Sequence, residues 1–525
     1  MADSSSISGG MFTSSTMRIG GLASGMDIDG MVNKMMTAQS VPLDKMKQKL
    51  QYLEWQRDDY RSMNTLLNDL KTTNFNMKLQ GTFLNKTATS SDDSKVTAVA
   101  GTTAGNATYK VDITNVATSA HNMSNGVIVK LDANFDSTKS LKDQKGNLTD
   151  SSTIPDSGTI DFTINTYDNN GNQISKTFSF DSSTSLDGIL SSISNSELGV
   201  SAFYDSVSQK VSITRTATGD MNKGTALDGH SEIEFSGAFL TDTLNLNQTS
   251  EQDGIDAEFV LNGLSTSSHT NSVTLGNVTF NLKNTGSATI SVSNNTDATF
   301  DNIKSFVDKY NDTIQKINDK IDETKNRDYP PLTDAQKEQM KDSEITAWTD
   351  KAKSGTLSND SLLSGVLNQM RTDLYSSVSS VTDSDYNQLA TIGITTSSDY
   401  LEHGKLVLDE TKLKQAIAEN PDAVMQLFTN KGTEDDYASQ GLAQRLDKSI
   451  NDAFKQIQQK AGSVGSTNAT FLMGKSFDDL NDQISAMTDR LTDIENRYYK
   501  QFTAMEQAIQ NANQQSMSLT NLLGQ

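Results

Sequence analysis

Hydrophobic positions along this chain follow two rhythms, helical near both ends and alternating in the middle. Towards the C-terminus Phe477, Leu480, Ile484, Met487, Leu491, Ile494, Tyr498, Met505, Ala508, Ala512, Leu519 and Leu522 recur in mostly three- and four-residue steps. Gln501 and Gln515 are the polar members of the row. This is heptad spacing, and a stripe so narrow is buried only against a partner helix. Leu43, Met46, Leu50, Leu53, Tyr60, Met63, Leu67 and Leu70 offer one with similar spacing. The pattern predicts a helix from Leu43 to Leu79, stopped near Gly81, and a last helix from Phe477 to Leu522, about 69 Å long. Residues 1–40 are rich in Ser, Gly and Met without a sustained pattern, and mobility is expected there.

Between the ends the period falls to two. Lys95–Val99, Tyr109–Ile113, Thr159–Ile164, Thr177–Phe180 and Val211–Thr214 read as half-buried strands, as do Ala257–Leu261, Val278–Leu282 and Ala288–Val292. Asn169-Asn-Gly171 and Asn262-Gly263 are turn signals, and Leu186–Ile193 is a short helix candidate. Helical spacing returns at Phe300, Ile303, Val307, Tyr310, Ile314, Ile317 and Ile321 and is expected to stop at Pro330-Pro331. Further helices are expected near 334–353, 358–377, 410–428 and 441–460, with a hairpin of Ile392–Ile394 against Lys405–Leu408. The fold class read from this pattern is α+β and multidomain. A helical coiled-coil leg is built from both chain ends, with nested β-rich head domains inserted in the middle. The expected parts are a mobile segment 1–42, a leg of 43–85 with 298–476, a β-rich head of 86–120 with 251–297, an inserted outer β-rich head 121–250, and a C-terminal coiled-coil helix 477–525.

Composition narrows the function. With 525 residues and 34% hydrophobic content, several small domains and exposed helices fit better than one large core. The net charge of −22 repels phosphate backbones and anionic lipid, so neither nucleic acid nor membrane is an expected partner. The absence of cysteine removes disulfides, thiolate zinc sites and cysteine nucleophiles. No apolar run of about 18 residues occurs. The first residues lack the pattern of a cleavable secretory signal, so export, if it occurs, is expected by another route.

Catalytic chemistry finds little support. Ala469-Thr-Phe-Leu-Met-Gly474-Lys475-Ser476 fits a relaxed phosphate-loop pattern, but its interior is bulky and no strand-like run precedes it. His121, His230, His269 and His403 are far apart and show no metal-ligand spacing. No catalytic, cofactor or metal site is expected. Met26, Met31, Met35 and Met36 cluster near the start, where methionine serves either irregular packing or a deformable contact surface.

Arg18-Ile-Gly-Gly-Leu-Ala-Ser-Gly-Met-Asp27 with Ile28–Val32 resembles the N-terminal signature of the flagellar hook-associated protein 2 family, the filament caps of bacterial flagella. Similar stretches are Ile255–Gly263, Thr289–Val292, Phe306–Asn311, Leu357–Asp360, Leu389–Ile394, Gly404–Asp409, Asn420–Phe428 and Arg497–Glu506. The loop 395–403 is longer and more polar than the resemblance implies. The resemblance implies a secreted structural protein at the distal tip of the extracellular filament. It implies a homo-oligomeric ring, described for the family as a pentamer, with a β-rich plate and helical legs. Flagellin is retained and folded beneath it. Hook–filament junction proteins and an export chaperone bound to the C-terminal helix before secretion are further implied partners.

The residues expected to act are therefore contacts. Gly20, Gly21, Ser24, Gly25 and Asp27 are assigned to the N-terminal filament contact. Leu491, Ile494, Tyr498, Phe502, Met505 and Ile509 are assigned to the leg pairing, the filament contact or both. Rival readings are a flagellin-like or hook–filament junction protein, a surface adhesin whose middle domains bind host or surface glycans, and an ATPase acting through Lys475.

Overall fold

The computed structural model describes residues 25–223, 229–433 and 435–523. In chain order it begins with helix α1 (Ile28–Asn76), then strands β1 (Lys86–Ser90), β2 (Val96–Ala100), β3 (Ala107–Asn115) and β4 (His121–Met123). A short helix α2 (Leu141–Gln144) leads to β5 (Thr159–Tyr167), β6 (Gln173–Asp181), α3 (Leu186–Ser194), β7 (Val200–Asp205), β8 (Lys210–Arg215) and β9 (Glu234–Ser236). Strands β10 (Ala257–Leu261), β11 (Leu264–Ser268), β12 (Ser272–Leu275), β13 (Val278–Leu282) and β14 (Gly286–Asn294) follow. The chain then returns to helix: α4 (Thr296–Asp322), α5 (Asp334–Lys337), α6 (Asp342–Lys353) and α7 (Ser361–Tyr375). Strands β15 (Ile394–Thr396) and β16 (Leu406–Leu408) precede α8 (Glu410–Glu419), α9 (Pro421–Thr429), α10 (Leu442–Ala461) and α11 (Leu472–Leu523).

These elements divide into two compact units, Met1–Phe83 with Asp297–Gln525, and Leu84–Thr296. The first is helical. The helix predicted from Leu43 in fact starts at Ile28, so the expectation of a mobile segment to residue 42 is corrected for 28–42. Asp27 is its N-cap, its side chain accepting from the Gly30 amide at 2.8 Å, and Ile28, Val32 and Met36 bury one face. The helix runs through Pro42, which is exposed. The last helix starts at Leu472, five residues before Phe477. The helix expected to stop at Pro330-Pro331 ends at Asp322, and the stretch 334–353 divides into α5 and α6. Pro421 at the first turn of α9 splits 410–428 into two helices.

The second unit holds two hydrophobic cores. One draws Val96, Val111 and Ile113 together with Phe259, Phe280 and Ile290, so segments near 96–117 and 257–292 fold together. Its sheets run β1-β14-β3-β10-β11 and β12-β13-β2, antiparallel throughout. Alternation works as the sequence predicts: Ala288, Ile290 and Val292 of β14 are buried while their neighbours face out. The two-residue turn Asn262-Gly263 joins β10 to β11 with both residues in the left-handed region, the geometry that asparagine and glycine tolerate best.

The other core lies within 128–246. It packs α3 with the sheets β4-β8-β7 and β6-β5-β9. Phe162 stacks on Phe178 at 5.3 Å and on Phe239 at 5.7 Å. Bridges Thr118 to Ile255, His121 to Gln252 and Ser124 to Leu246 run between the two strands of chain that connect these cores. Beside them Arg215, Glu232 and Glu251 are all buried. Burial pushes the Glu251 carboxyl up to about 8, although the Glu232 and Ile233 amides donate to it.

Candidate functional site

The site follows from what α1 meets along its length. Asn74 donates to the Ala443 carbonyl at 2.8 Å, Lys71 to Asn451 at 2.6 Å, and Arg61 to the Ala461 and Gly462 carbonyls at 3.3 Å. Arg57 then stands over the Phe477 ring at 5.3 Å, and the Tyr499 hydroxyl donates to Asp29 at 2.9 Å. Contact positions fall on one helix as they rise on the other. α10 and then α11 therefore lie antiparallel to α1, and the two ends of the chain are paired. Tyr60 donates to Asp360 at the head of α7, and Lys460 reaches the same carboxylate at 3.2 Å. Burial, with Asp360 beside it, raises the Tyr60 hydroxyl pKa well above the ordinary tyrosine value, so it stays a donor.

The first turns of α1 form a separate cluster with α11. Ile28, Val32, Met36 and Leu43 close on Leu491 and Ile494, and Met31, Met35, Met487, Tyr498 and Phe502 pack around them. Leu491 is wholly buried and Ile494 is 8% exposed. The predicted contacts Leu491, Ile494, Tyr498 and Phe502 thus meet in one place. Met505 and Ile509 stand outside that cluster and are half-exposed. Beyond them Met517 is 62% and Leu519 58% exposed. Of the N-terminal set, Asp27 caps α1 and Gly25 is exposed at φ +70°, while Gly20, Gly21 and Ser24 lie outside the described residues. The methionines of the early cluster serve packing here: Met31, Met35 and Met36 fill the space between α1 and α11.

Residues that sequence reasoning missed hold the other end of the bundle. Arg445 is fully buried, and its guanidinium donates to the carbonyls of Tyr437, Ser376, Ser377 and Ala438 at 2.8–3.0 Å. Tyr437 donates in turn to the buried Asp373 at 2.7 Å. An arginine on an amphipathic helix reads as solvent-facing, so only the tertiary fold shows this role.

Catalytic geometry does not form at the phosphate-loop-like segment. Residues Asn468–Thr470 make a short 3-10 turn, and Gly474 and Lys475 already lie in α11. Gly474 lies where a Cβ would meet the Asn468 backbone at 2.2 Å, so the glycine serves close packing and not a phosphate cradle. Among the described residues no group of three or more His, Asp or Glu is placed to hold a metal, and no helix is long and apolar enough to cross a membrane.

Helices from both chain ends pair in one unit, and the segment between them in sequence is β-rich, the element order of a multidomain α+β protein. The family models described as "Flagellar hook-associated protein 2 N-terminus" and "Flagellar hook-associated protein 2 C-terminus" match residues 24–120 and 254–514. A flagellar hook-associated protein 2 of Halalkalibacterium halodurans is 38% identical across 96% of this chain and 99% of its own. That of Thermotoga maritima is 25% identical across 96% of both. A crystal structure of the flagellar cap protein FliD D1-D2-D3 domains from Escherichia coli shares the fold. Its TM-score is 0.52 at 21% identity, covering 81% of this chain and 99% of that one. The chain belongs to the flagellar hook-associated protein 2 family.

Proposed function

We propose that this protein is a subunit of the flagellar filament cap. It acts outside the cell at the distal tip of the filament, where it retains exported flagellin and promotes its folding and polymerisation. Family membership supports the role, and one observation carries the mechanism: the apolar row of α11 continues past Phe502 through Met505 and Ile509 after its buried cluster with α1 has ended. A helix that offers half a seam gains order and burial when a helix of another protein covers the rest. Flagellin and the hook–filament junction proteins are the partners this reading assigns to that row, and a chaperone covers it before export. The subunits close into a ring, taken as a pentamer, and no catalytic role is assigned.

The test uses cells lacking the native chain. Removal of residues 477–525 is expected to leave the β unit folded and to release flagellin into the medium. Met505→Gln with Ile509→Gln separates function from folding, because neither residue belongs to the buried cluster with α1. This variant should keep its helical signal and still leak flagellin. Normal filament growth by both variants would reject the role given to α11.

A further inference from the structure

The chain carries a net charge of −22, yet the helical unit has a pocket whose charged lining residues are all cations. It is an open pocket of about 250 Å³ between α1 and the segment that follows α4. Lys49, Lys325 and Arg327 line it with Tyr52, Tyr329 and Pro331, and no carboxylate does. All three cations are exposed, and among the described residues none makes an ion pair. Aromatic rings hold the wall in place. Lys325 Nζ stands 4.4 Å from the Tyr52 ring centre, and Lys351 and Lys353 stand over Tyr329 and Trp55 at 4.6 and 5.4 Å. Trp348 packs edge-on to Tyr329 at 4.8 Å and donates to the Pro330 carbonyl, while Gln48 donates to that of Pro331. Of the three lining cations Lys325 is held on a ring, and a cation so fixed loses little side-chain freedom when an anion arrives.

The rings also narrow the choice of anion. A sugar needs an open aromatic face, and Tyr52, Tyr329 and Trp55 each carry a lysine on theirs. A nucleic acid would extend its phosphates into a field that is negative overall. A short row of carboxylates on a protein surface fits best, and the same helical unit presents one. Asp478, Asp482, Asp489 and Asp493 of α11 are all exposed and, among the described residues, make no ion pair. At 3.6 residues per turn they fall within an arc of about 60°, opposite the buried Phe477, Leu480 and Leu491, and span about 22 Å. Lys475 and Lys500 bound the row at either end.

We infer that the pocket of Lys49, Lys325 and Arg327 receives the aspartate row of α11 from a second copy of this chain. Each copy has one pocket and one row, so the contact is head-to-tail and closes into a ring when the rotation between copies permits. At physiological salt, repulsion between whole subunits is screened beyond about 8 Å, while contact pairs persist. The inference rests on the reading of the chain as an assembling cap subunit.

Charge exchange on the full-length protein tests it, read as the self-association constant by sedimentation velocity and mass photometry. Lys325→Glu with Arg327→Glu should weaken association by about tenfold or more, and so should Asp482→Lys with Asp489→Lys. The four changes together should restore it to within about threefold of the parent. Association unmoved by either reversal, or a fourfold variant as weak as the two losses multiplied, overturns the inference. A heparin fragment binding at the pocket, lost in Lys325→Glu with Arg327→Glu while association stays constant, overturns it in favour of an acidic glycan. If the parent does not associate at all, the cap reading falls too. If it associates and ignores the reversals, only the pocket assignment falls.

Discussion

The first fifteen residues of α1 and the rest of the helix are held in different ways. From Leu43 onwards α1 is bonded to several elements at once: the Ala443 carbonyl and Asn451 of α10, Asp360 at the head of α7, and the Phe477 ring of α11. Before Leu43, among the described residues, the buried cluster is made with α11 alone, largely by unbranched methionines, and the Asp29–Tyr499 hydrogen bond joins the pair. One stretch belongs to a bundle core and the other to a two-helix seam. Stability should therefore fall along α1 towards its start, because local opening follows the density of buried contacts. A firm body with more loosely held ends is the expected outcome, and it suits the partner exchange proposed above.

Breaking the firm end should cost most. Arg445→Ala leaves four carbonyls without their donor, and about 3–5 kcal/mol of stability is expected to be lost, read from chemical denaturation of the helical signal. At the seam, Leu491→Ala removes a wholly buried side chain, with a loss of about 2–4 kcal/mol. Hydrogen exchange should confine that loss to residues 28–43 and 484–502. If protection falls equally near Asn74, the two stretches are one cooperative unit and the contrast fails.

The β unit offers a comparison by pH. Glu251 has a folded value of about 8, above its ordinary 4.5, so the folded chain keeps a proton that the unfolded chain releases. Its contribution is fully present below about pH 4.5, declines as pH rises towards 8 and levels off above that. The change is on the order of a few kcal/mol. Arg215 and the carboxylates Glu232 and Asp253 face it; Glu232 and Asp253 act in the same direction as burial. Glu251→Gln should flatten the pH dependence of β-unit melting across this window, and an unchanged profile would assign the slope to other groups. The smallest effect is expected at the cap: Asp27→Ala removes the acceptor for the Gly30 amide and should cost about 1 kcal/mol, seen as fraying of the first turn of α1 by NMR.

The sequence made the seam legible because Leu480, Ile484, Leu491 and Ile494 repeat with the period of a helix, and Tyr60, Met63, Leu67 and Leu70 answer with the same period. It made the strands legible where one face alone is buried, as at Ile160, Phe162 and Ile164 of β5. The start of α1 was harder. Ile28, Val32 and Met36 have helical spacing, but glycines and serines surround them, and the Asp27 cap becomes evident only once the turn has formed. Charged core residues were not legible at all. Arg445, Arg215, Glu232 and Glu251 look like surface residues until distant carbonyls and amides come together around them. Short β-bonded edges such as β11 and β12 were missed for a related reason: their serine- and threonine-rich runs contribute little to a core, and their pairing comes from neighbours.

The pairing of the two chain ends is the claim on which the rest stands, and the absence of native cysteine makes it directly measurable. Nitroxide labels at Asp29→Cys and Tyr499→Cys, read by pulsed dipolar spectroscopy on the full-length protein, should lie within about 20 Å of each other. A separation beyond about 30 Å, twenty residues of helical rise, in a protein with its full helical signal would contradict it.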